Sequence, residues 1–386
     1  MRNKRKICVV ITARPSYSRV QSLLSAVKAH PNLELQLVVA GSALLDKYGT
    51  AASYIVKDGF DITSRVFNVL EGETLTNMAK TTGLGLLELS TVFDNLKPDV
   101  VVTIADRYET IATAIAAAYM NIPLAHIQGG EVTGSIDEKV RHAVTKLADL
   151  HFVSTQQACK RVIRMGEEPE KVFMTGCPSV DLASDVLKNN VLDFNPVEKY
   201  GGVGATVDLS NGYLVVMQHS VTSEYGQAQR QITETLTAVA NLELPTLWFW
   251  PNVDAGSDGI SKGIRIFREK YKPANLHFFK NVAPKDFLKL LYNSGCLVGN
   301  SSVGIRESAF LGVPVVNIGT RQSGRERGKN VADVGHSSKE IERAIRKQLL
   351  HGRYPSDHIY GDGMAGRRIA DLLAKTNLTI EKKIKY

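Results

Sequence analysis

The residues of this chain best suited to chemistry lie in polar stretches that each follow a short apolar run: 12–18, 105–109, 126–138, 218–222, 250–257, 300–307 and 319–326. Asp106, Glu131, Asp137 and Glu138 follow neighbouring runs of the first half. Carboxylates held close together take separated proton affinities and can serve as acid and base. Asp137 equally suits the start of a predicted helix over 137–148. Arg14, Arg107, Arg321 and Arg325 fall at run ends in both halves. Guanidinium groups stay charged and donate paired hydrogen bonds, which suits a diphosphate. Asn300-Ser301-Ser302-Val303-Gly304 follows a run and opens a predicted helix over 303–311. Ser301, Ser302 and Gly304 therefore fit a helix start whose free N–H groups hold an anion, or an ordinary serine cap. Glu307, one turn further, has the chemistry to accept hydrogen bonds from ribose hydroxyls. His126 and His219 close runs in different halves. His219, with Ser220 and Thr222 after it, is the better active-site candidate, and His126 reads as structural.

The apolar runs must position these groups. Runs at 7–12, 33–41, 100–106, 123–129, 150–155 and 171–176 read as strands separated by amphipathic helices. The rhythm breaks over 183–211, a polar stretch with Gly-Gly-Val-Gly at 201–204 that reads as a linker and domain entry. It resumes with strands at 213–219, 244–251, 276–281, 296–301 and 313–319. Unalternating apolar strands between helices predict an α/β fold of two parallel sheets with helices on both faces. The expected domains are 1–183 and 205–360, each Rossmann-like. Ligands of such sheets lie outside the C-terminal strand ends, which suggests a ligand held between the domains.

Composition narrows the function classes. The chain has 386 residues, enough for two domains of about 150–200 residues each. With 44% apolar and 22% charged residues it is neither disordered nor disulfide-stapled. Its net charge is +8, but the first six residues contribute +4 and the last six +2. The remainder is nearly neutral, which argues against a nucleic-acid-binding face. Cys8, Cys159, Cys177 and Cys296 are widely spaced, with no metal-site pattern, and read as free thiols in a reducing cytoplasm. No run reads as a membrane span or leader, since the longest, 111–127, contains Asn121 and Pro123. Gly-Asp-Gly-Met-Ala-Gly at 361–366 matches a dinucleotide fingerprint only as a string. No good strand precedes it, and the first turn, 12–18, has no glycine, so no NAD or FAD is expected.

Strings along nearly the whole chain, about 7–370, are those of one family: RPSYS, DRYE, GGEVTGSIDEKVRHAVTKLA, GCPS, QHSVT, PNVDAGS, GNSSVGIRE, GTRQSGRE and IYGDG. The chain resembles the hydrolysing UDP-N-acetylglucosamine 2-epimerases of sialic-acid and legionaminic-acid pathways. The resemblance implies the two-domain GT-B architecture, with the nucleotide sugar in the cleft and a last helix, about 365–377, crossing back to the first domain. It places Arg14, Ser18, Arg107, His219, Asn252, Ser301, Ser302, Glu307 and Arg321 on the nucleotide diphosphate. It implies elimination to a 2-acetamidoglycal followed by addition of water, with neither metal nor cofactor. UDP-GlcNAc is the expected substrate, with a UDP- or GDP-linked 2,4-diacetamido sugar as the alternative. Rival readings are a non-hydrolysing epimerase, a glycosyltransferase and a non-catalytic nucleotide-sugar sensor. Several relatives carry a carboxylate where this chain has Gln128, and an amide is no base. The acid and base roles are therefore expected of Asp106, Glu131 and Asp137, assisted by His219. The family further implies a homodimer or homotetramer.

Overall fold

The computed structural model describes residues 4–45, 51–70, 72, 74–105, 107–133, 136–251 and 256–385. Asp106 and Asn252 lie outside the described residues. The chain divides into two compact units: Met1–Glu131, Ile136–Leu182 and Tyr360–Tyr386 form one, and Val132–Ser135 with Ala183–Ile359 the other.

The first unit contains strands β1 (Arg5–Ile11), β2 (Leu33–Ala40), β3 (Ser64–Val66), β4 (Val100–Ile104), β5 (Leu124–Ile127), β6 (Leu150–Val153) and β7 (Val172–Met174). They form a parallel sheet in the order β3-β2-β1-β4-β5-β6-β7. Ile7 of β1 stands opposite Leu35 on one side and Val100 on the other. β4 is Val-Val-Val-Thr-Ile and is buried at every position, because helices cover both faces of the sheet. On one face α1 (Arg14–Ala29) supplies Val20, Leu23 and Leu24 to the core. On the other, α3 (Leu75–Leu96) and α4 (Thr110–Tyr119) supply Leu89, Phe93 and Ala112. Thr74 caps α3 by accepting the Asn77 N–H at 3.1 Å. The remaining helices before the second unit are α2 (Ala51–Lys57), α5 (Ile136–Leu147), α6 (Gln156–Arg164) and α7 (Pro178–Lys188).

The second unit contains α8 (Pro196–Tyr200), β8 (Val203–Gly204), β9 (Leu214–Met217), α9 (Ala228–Ala240), β10 (Thr246–Phe249), α10 (Ser257–Tyr271), β11 (Leu276–Phe279), α11 (Pro284–Asn293), β12 (Cys296–Gly299), α12 (Glu307–Leu311), β13 (Val315–Ile318), β14 (Val331–Val334) and α13 (Ser338–His351). The sheet order is β14-β13-β12-β9-β10-β11-β8. All its pairs are parallel except β8 with β11. The chain then returns to the first unit through α14 (Ala365–Lys375), whose Ile369 and Leu373 share a core cluster with Val20 and Leu24. Asp181 accepts the N–H groups of Ala365 and Gly366 at 3.0 and 2.7 Å, satisfying free donors of that helix start.

The stretch 183–211, read as a linker and domain entry, carries the end of α7, all of α8 and the edge strand β8. Two expectations are corrected. The helix expected over 303–311 is broken into one 3-10 turn, Ser302–Gly304, and the five-residue α12. The break falls at Arg306, whose buried guanidinium turns back to donate to Ser302 Oγ at 2.8 Å. The second sheet also has one antiparallel edge.

A strap over 376–385 closes the first unit at the N-terminal end of β6. Glu167 is buried there and accepts from Lys146 at 2.6 Å, from His151 Nε2 at 3.0 Å and from Lys382. Burial alone raises a carboxyl group's pKa, but the three donors outweigh it and hold Glu167 at about 2, below its ordinary 4.5. A depressed carboxylate stabilises the fold fully above its unfolded pKa and loses that contribution as pH falls through the folded one. Acid unfolding between about pH 4.5 and 2 should therefore draw about 3 kcal/mol from this site. In Glu167→Gln that part of the stability–pH slope should disappear, as read by urea titration at each pH.

Candidate functional site

In an open parallel sheet, loops diverge where the strand order reverses, and the crevice they leave holds the ligand. The first sheet reverses between β1 and β4, and the second between β9 and β12. The singled-out stretches 12–18 and 105–109 leave the first pair of strands. Stretches 218–222 and 300–307 leave the second.

At the first switch point, Ala105 ends β4 with φ 64°, and Gln128 ends the adjacent β5 with φ 66°. A residue with a Cβ pays about 1–2 kcal/mol for that left-handed backbone, and such strain gathers at functional sites. His126 fixes the pair from below. Its Nε2 meets the Ala105 carbonyl at 2.9 Å, so Nε2 carries the proton, and its Nδ1 lies 3.2 Å from Thr145 Oγ1. His126 is therefore a structural residue. Gln128 is buried, and its amide N–H donates to Cys177 Sγ at 2.9 Å. Gly130 (φ 74°) lets the loop pass under α6, since a Cβ there would lie 2.4 Å from the Ala158 carbonyl oxygen.

Glu131 follows, 3% exposed, and its carbonyl accepts from Arg141 at 2.8 Å. Arg141 is fully buried on α5 and also reaches Glu138 at 3.4 Å. Asp137 lies half-buried in the first turn of α5, where the helix dipole favours a carboxylate. Arg107 is buried and donates with Nε and Nη2 to the two oxygens of Glu109, both at 3.2 Å. Its charge is thus shared with a neighbour that the sequence reading had not singled out. Arg14 opens α1, and its side chain lies outside the described part. Ser18 is one turn on, its hydroxyl donating to the Pro15 carbonyl at 3.0 Å.

At the second switch point the organising residue is Asn300. Its side chain accepts the His219 N–H at 2.7 Å and donates to the His219 carbonyl at 2.9 Å, clamping the end of β9 to the end of β12. His219 itself is buried. Arg321 Nη1 and Gln322 Nε2 both donate to the Asn300 carbonyl, at 3.2 and 2.9 Å, bringing the 319–326 loop to the same place. Ser301 caps the 3-10 turn, its Oγ accepting the Val303 N–H, and Gly304 is buried within that turn. Glu307 is 8% exposed, and its Oε2 is buried without a protein partner, as are Gln218 Oε1 and Ser220 Oγ. Native proteins rarely leave such atoms unpaired. Gln218 and Ser220 directly follow β9, and Glu307 opens α12.

Neither Asn300 nor Arg141 was identified from sequence. Both work through contacts with backbone, which residue type does not reveal. Asn300→Ala removes both bonds to His219 and leaves a buried N–H and C=O unpaired, at about 1–3 kcal/mol each. Thermal unfolding should show that loss, and kcat should fall at least tenfold as His219 is released. Among the described residues no group of His, Cys, Asp or Glu is arranged to hold a metal ion. Among them, too, no helix is long and apolar enough to cross a membrane.

Comparison with known proteins shows the family and the fold. The family described as UDP-N-acetylglucosamine 2-epimerase matches residues 25–374. A Legionella pneumophila protein named UDP-N,N'-diacetylbacillosamine 2-epimerase (hydrolyzing) is 33% identical over 96% of this chain and 95% of its own length. A UDP-N-acetylglucosamine 2-epimerase of Neisseria meningitidis is 30% identical, covering 93% of this chain and 91% of the relative. The crystal structure of the UDP-GlcNAc 2-epimerase from Neisseria meningitidis, bound to UDP-GlcNAc, superposes with a TM-score of 0.79 at 17% identity, covering 96% of this chain and 100% of that one. It shares the GT-B-like fold of two Rossmann-like units. Such a family acts on nucleotide sugars. By the match of that family over residues 25–374 and by these relatives, the chain belongs to the UDP-N-acetylglucosamine 2-epimerase family.

Proposed function

We propose that this enzyme is a hydrolysing 2-epimerase that converts UDP-GlcNAc and water to ManNAc and UDP. The observation that carries the reading is the set of buried atoms without a protein partner in the second unit, Gln218 Oε1 and Ser220 Oγ after β9 and Glu307 Oε2 at the start of α12. Glu307 suits ribose hydroxyls. Ser301, Ser302, Arg321, Arg14 and Arg107 suit the diphosphate, with Asn252, Ser18 and Gly304 contributing to the same binding.

In the first step a base takes the proton from sugar C2, and the C1–O bond breaks toward the diphosphate. The electron pair of the C–H bond becomes the C1=C2 double bond of a 2-acetamidoglycal. Cations around the leaving diphosphate lower the cost of the charge it gains. In the second step water adds its oxygen at C1, and a proton reaches C2 from the opposite face, giving the manno sugar. Asp106, Glu131 and Asp137 are the carboxylates for these proton transfers, and His219 assists.

The name of the Legionella relative supports a second substrate, the UDP-linked 2,4-diacetamido sugar. Proton NMR in D2O, with each substrate offered separately, tests both. Release of free UDP and a manno sugar deuterated at C2 is expected, and the faster substrate is the native one. Deuterium at C2 with the nucleotide still attached would establish the non-hydrolysing reaction instead. Intact, unlabelled substrates would overturn the proposal.

A further inference from the structure

Gln322 lies in the loop after β13, yet it is 1% exposed, and both ends of its side-chain amide are engaged. Nε2 donates to the Asn300 carbonyl at 2.9 Å, and Oε1 accepts from Arg325 Nη1 at 3.0 Å. A primary amide has two ends of nearly equal shape, so its partners must set its orientation. A backbone carbonyl can only accept and a guanidinium can only donate, so the orientation is fixed. Turning the amide over would set oxygen against oxygen and N–H against N–H.

Asn300 is fixed by the same rule. Its Oδ1 takes the His219 N–H and its Nδ2 gives to the His219 carbonyl, both backbone groups of set polarity. Arg325, Gln322, Asn300 and His219 therefore form one directed row in the second unit, and all four are buried. The loop closes around Gln322, whose carbonyl accepts the Arg325 N–H at 3.3 Å and Arg327 Nη2 at 2.5 Å. Arg321 reaches the same Asn300 carbonyl at 3.2 Å but is only half-buried. The bond from Gln322 is the one for which water does not compete.

We propose that Gln322 is a positioning residue that acts through Asn300 to hold the backbone of His219, and with it the imidazole, just past the end of β9. For its effect on rate the inference rests on the reaction proposed above, in which His219 assists proton transfer. The placement of His219 stands apart from that reaction and is measured without it.

Three variants test the row. Gln322→Met keeps the volume and removes both bonds. Gln322→Glu keeps an acceptor for Arg325, whose charge favours the ionised carboxylate, and loses the donor to Asn300. Asn300→Ala cuts the row one step nearer His219. The His219 imidazole 1H–13C resonances are read first, with no substrate present. They should move in all three variants, while those of His126 and His151 in the first unit stay in place. Unmoved His219 resonances in Gln322→Met or Gln322→Glu overturn the proposal. Release of UDP from UDP-GlcNAc is then timed. The kcat should fall about tenfold in Gln322→Met and in Gln322→Glu. Added to Asn300→Ala, Gln322→Met should cost less than a further twofold, because residues in one network are not additive. A general loosening of the fold would multiply the two losses and would leave Gln322→Glu, which keeps a partner for Arg325, near wild type. Either result overturns the positioning role. If the wild type releases no UDP, the substrate reading fails, and the His219 resonances alone decide this one.

Discussion

Gly299→Ala is expected to lower the melting temperature by roughly 6–12 °C and to abolish turnover. Gly299 ends β12 at the second switch point with φ 133°, a conformation open in practice only to glycine. A Cβ built there would lie 2.2 Å from the Met217 carbonyl oxygen and 2.6 Å from its carbon. Both are backbone atoms of the neighbouring strand, so no side chain can swing aside. That same carbonyl accepts the Asn300 N–H at 3.1 Å. To admit a methyl group, β12 must separate from β9 where Asn300 clamps His219 and presents Ser301 and Ser302. Strain and lost pairing together come to about 3 kcal/mol. The measurement is thermal unfolding by circular dichroism, with UDP binding by calorimetry. A useful contrast is Gly83, inside α3, where a Cβ would meet nothing within 4 Å. Gly83→Ala should instead stabilise by up to about 1 kcal/mol, because only backbone entropy and helix propensity change. Similar effects at the two positions would show that the β12–β9 contact relaxes and that the strand-end argument is wrong.

This difference shows what sequence discloses and what it does not. Strands such as 100–104 were legible because burial on both faces writes itself as an unbroken apolar run. Their order was not, yet that order makes 105 and 128 neighbours. The strands passed over, β3, β8 and β14, are short edge strands or only partly buried, and they lack the run that marks a central strand. Residue types drew the eye to Arg107 and Ser302, but not to what occupies them: Glu109 takes the first, and the guanidinium of Arg306 takes the second. Asn300 and Arg141 act by reaching backbone. Such roles depend on three-dimensional placement that a polar residue in a string of letters does not announce.

The carboxylates pose the remaining chemical question, and their burial differs enough to separate their roles. Glu131 is 3% exposed, on a loop whose backbone Arg141 holds, three residues beyond strained Gln128. Asp137 is half-buried in the first turn of α5, beside Glu138, which Arg141 and His142 engage at 3.4 and 2.9 Å. A base that takes a proton from carbon works best where water does not compete for it. A group that returns a proton during hydration must instead work beside water. Within the proposed reaction we assign Glu131 the first step and Asp137 the second. Glu131→Gln keeps the shape and can still hydrogen-bond, but it cannot accept the proton. C2 exchange in D2O should fall by about 10²–10⁴-fold, with UDP affinity within threefold of wild type. No glycal should form, yet glycal supplied from outside should still be hydrated. Asp137→Asn should show the reverse: UDP is released, and the glycal accumulates because the second proton transfer is slow. The two variants thus separate elimination from hydration in one NMR assay. If Glu131→Gln exchanges C2 at the wild-type rate while Asp137→Asn does not, the roles are exchanged, and exposure is no guide to which carboxylate attacks carbon.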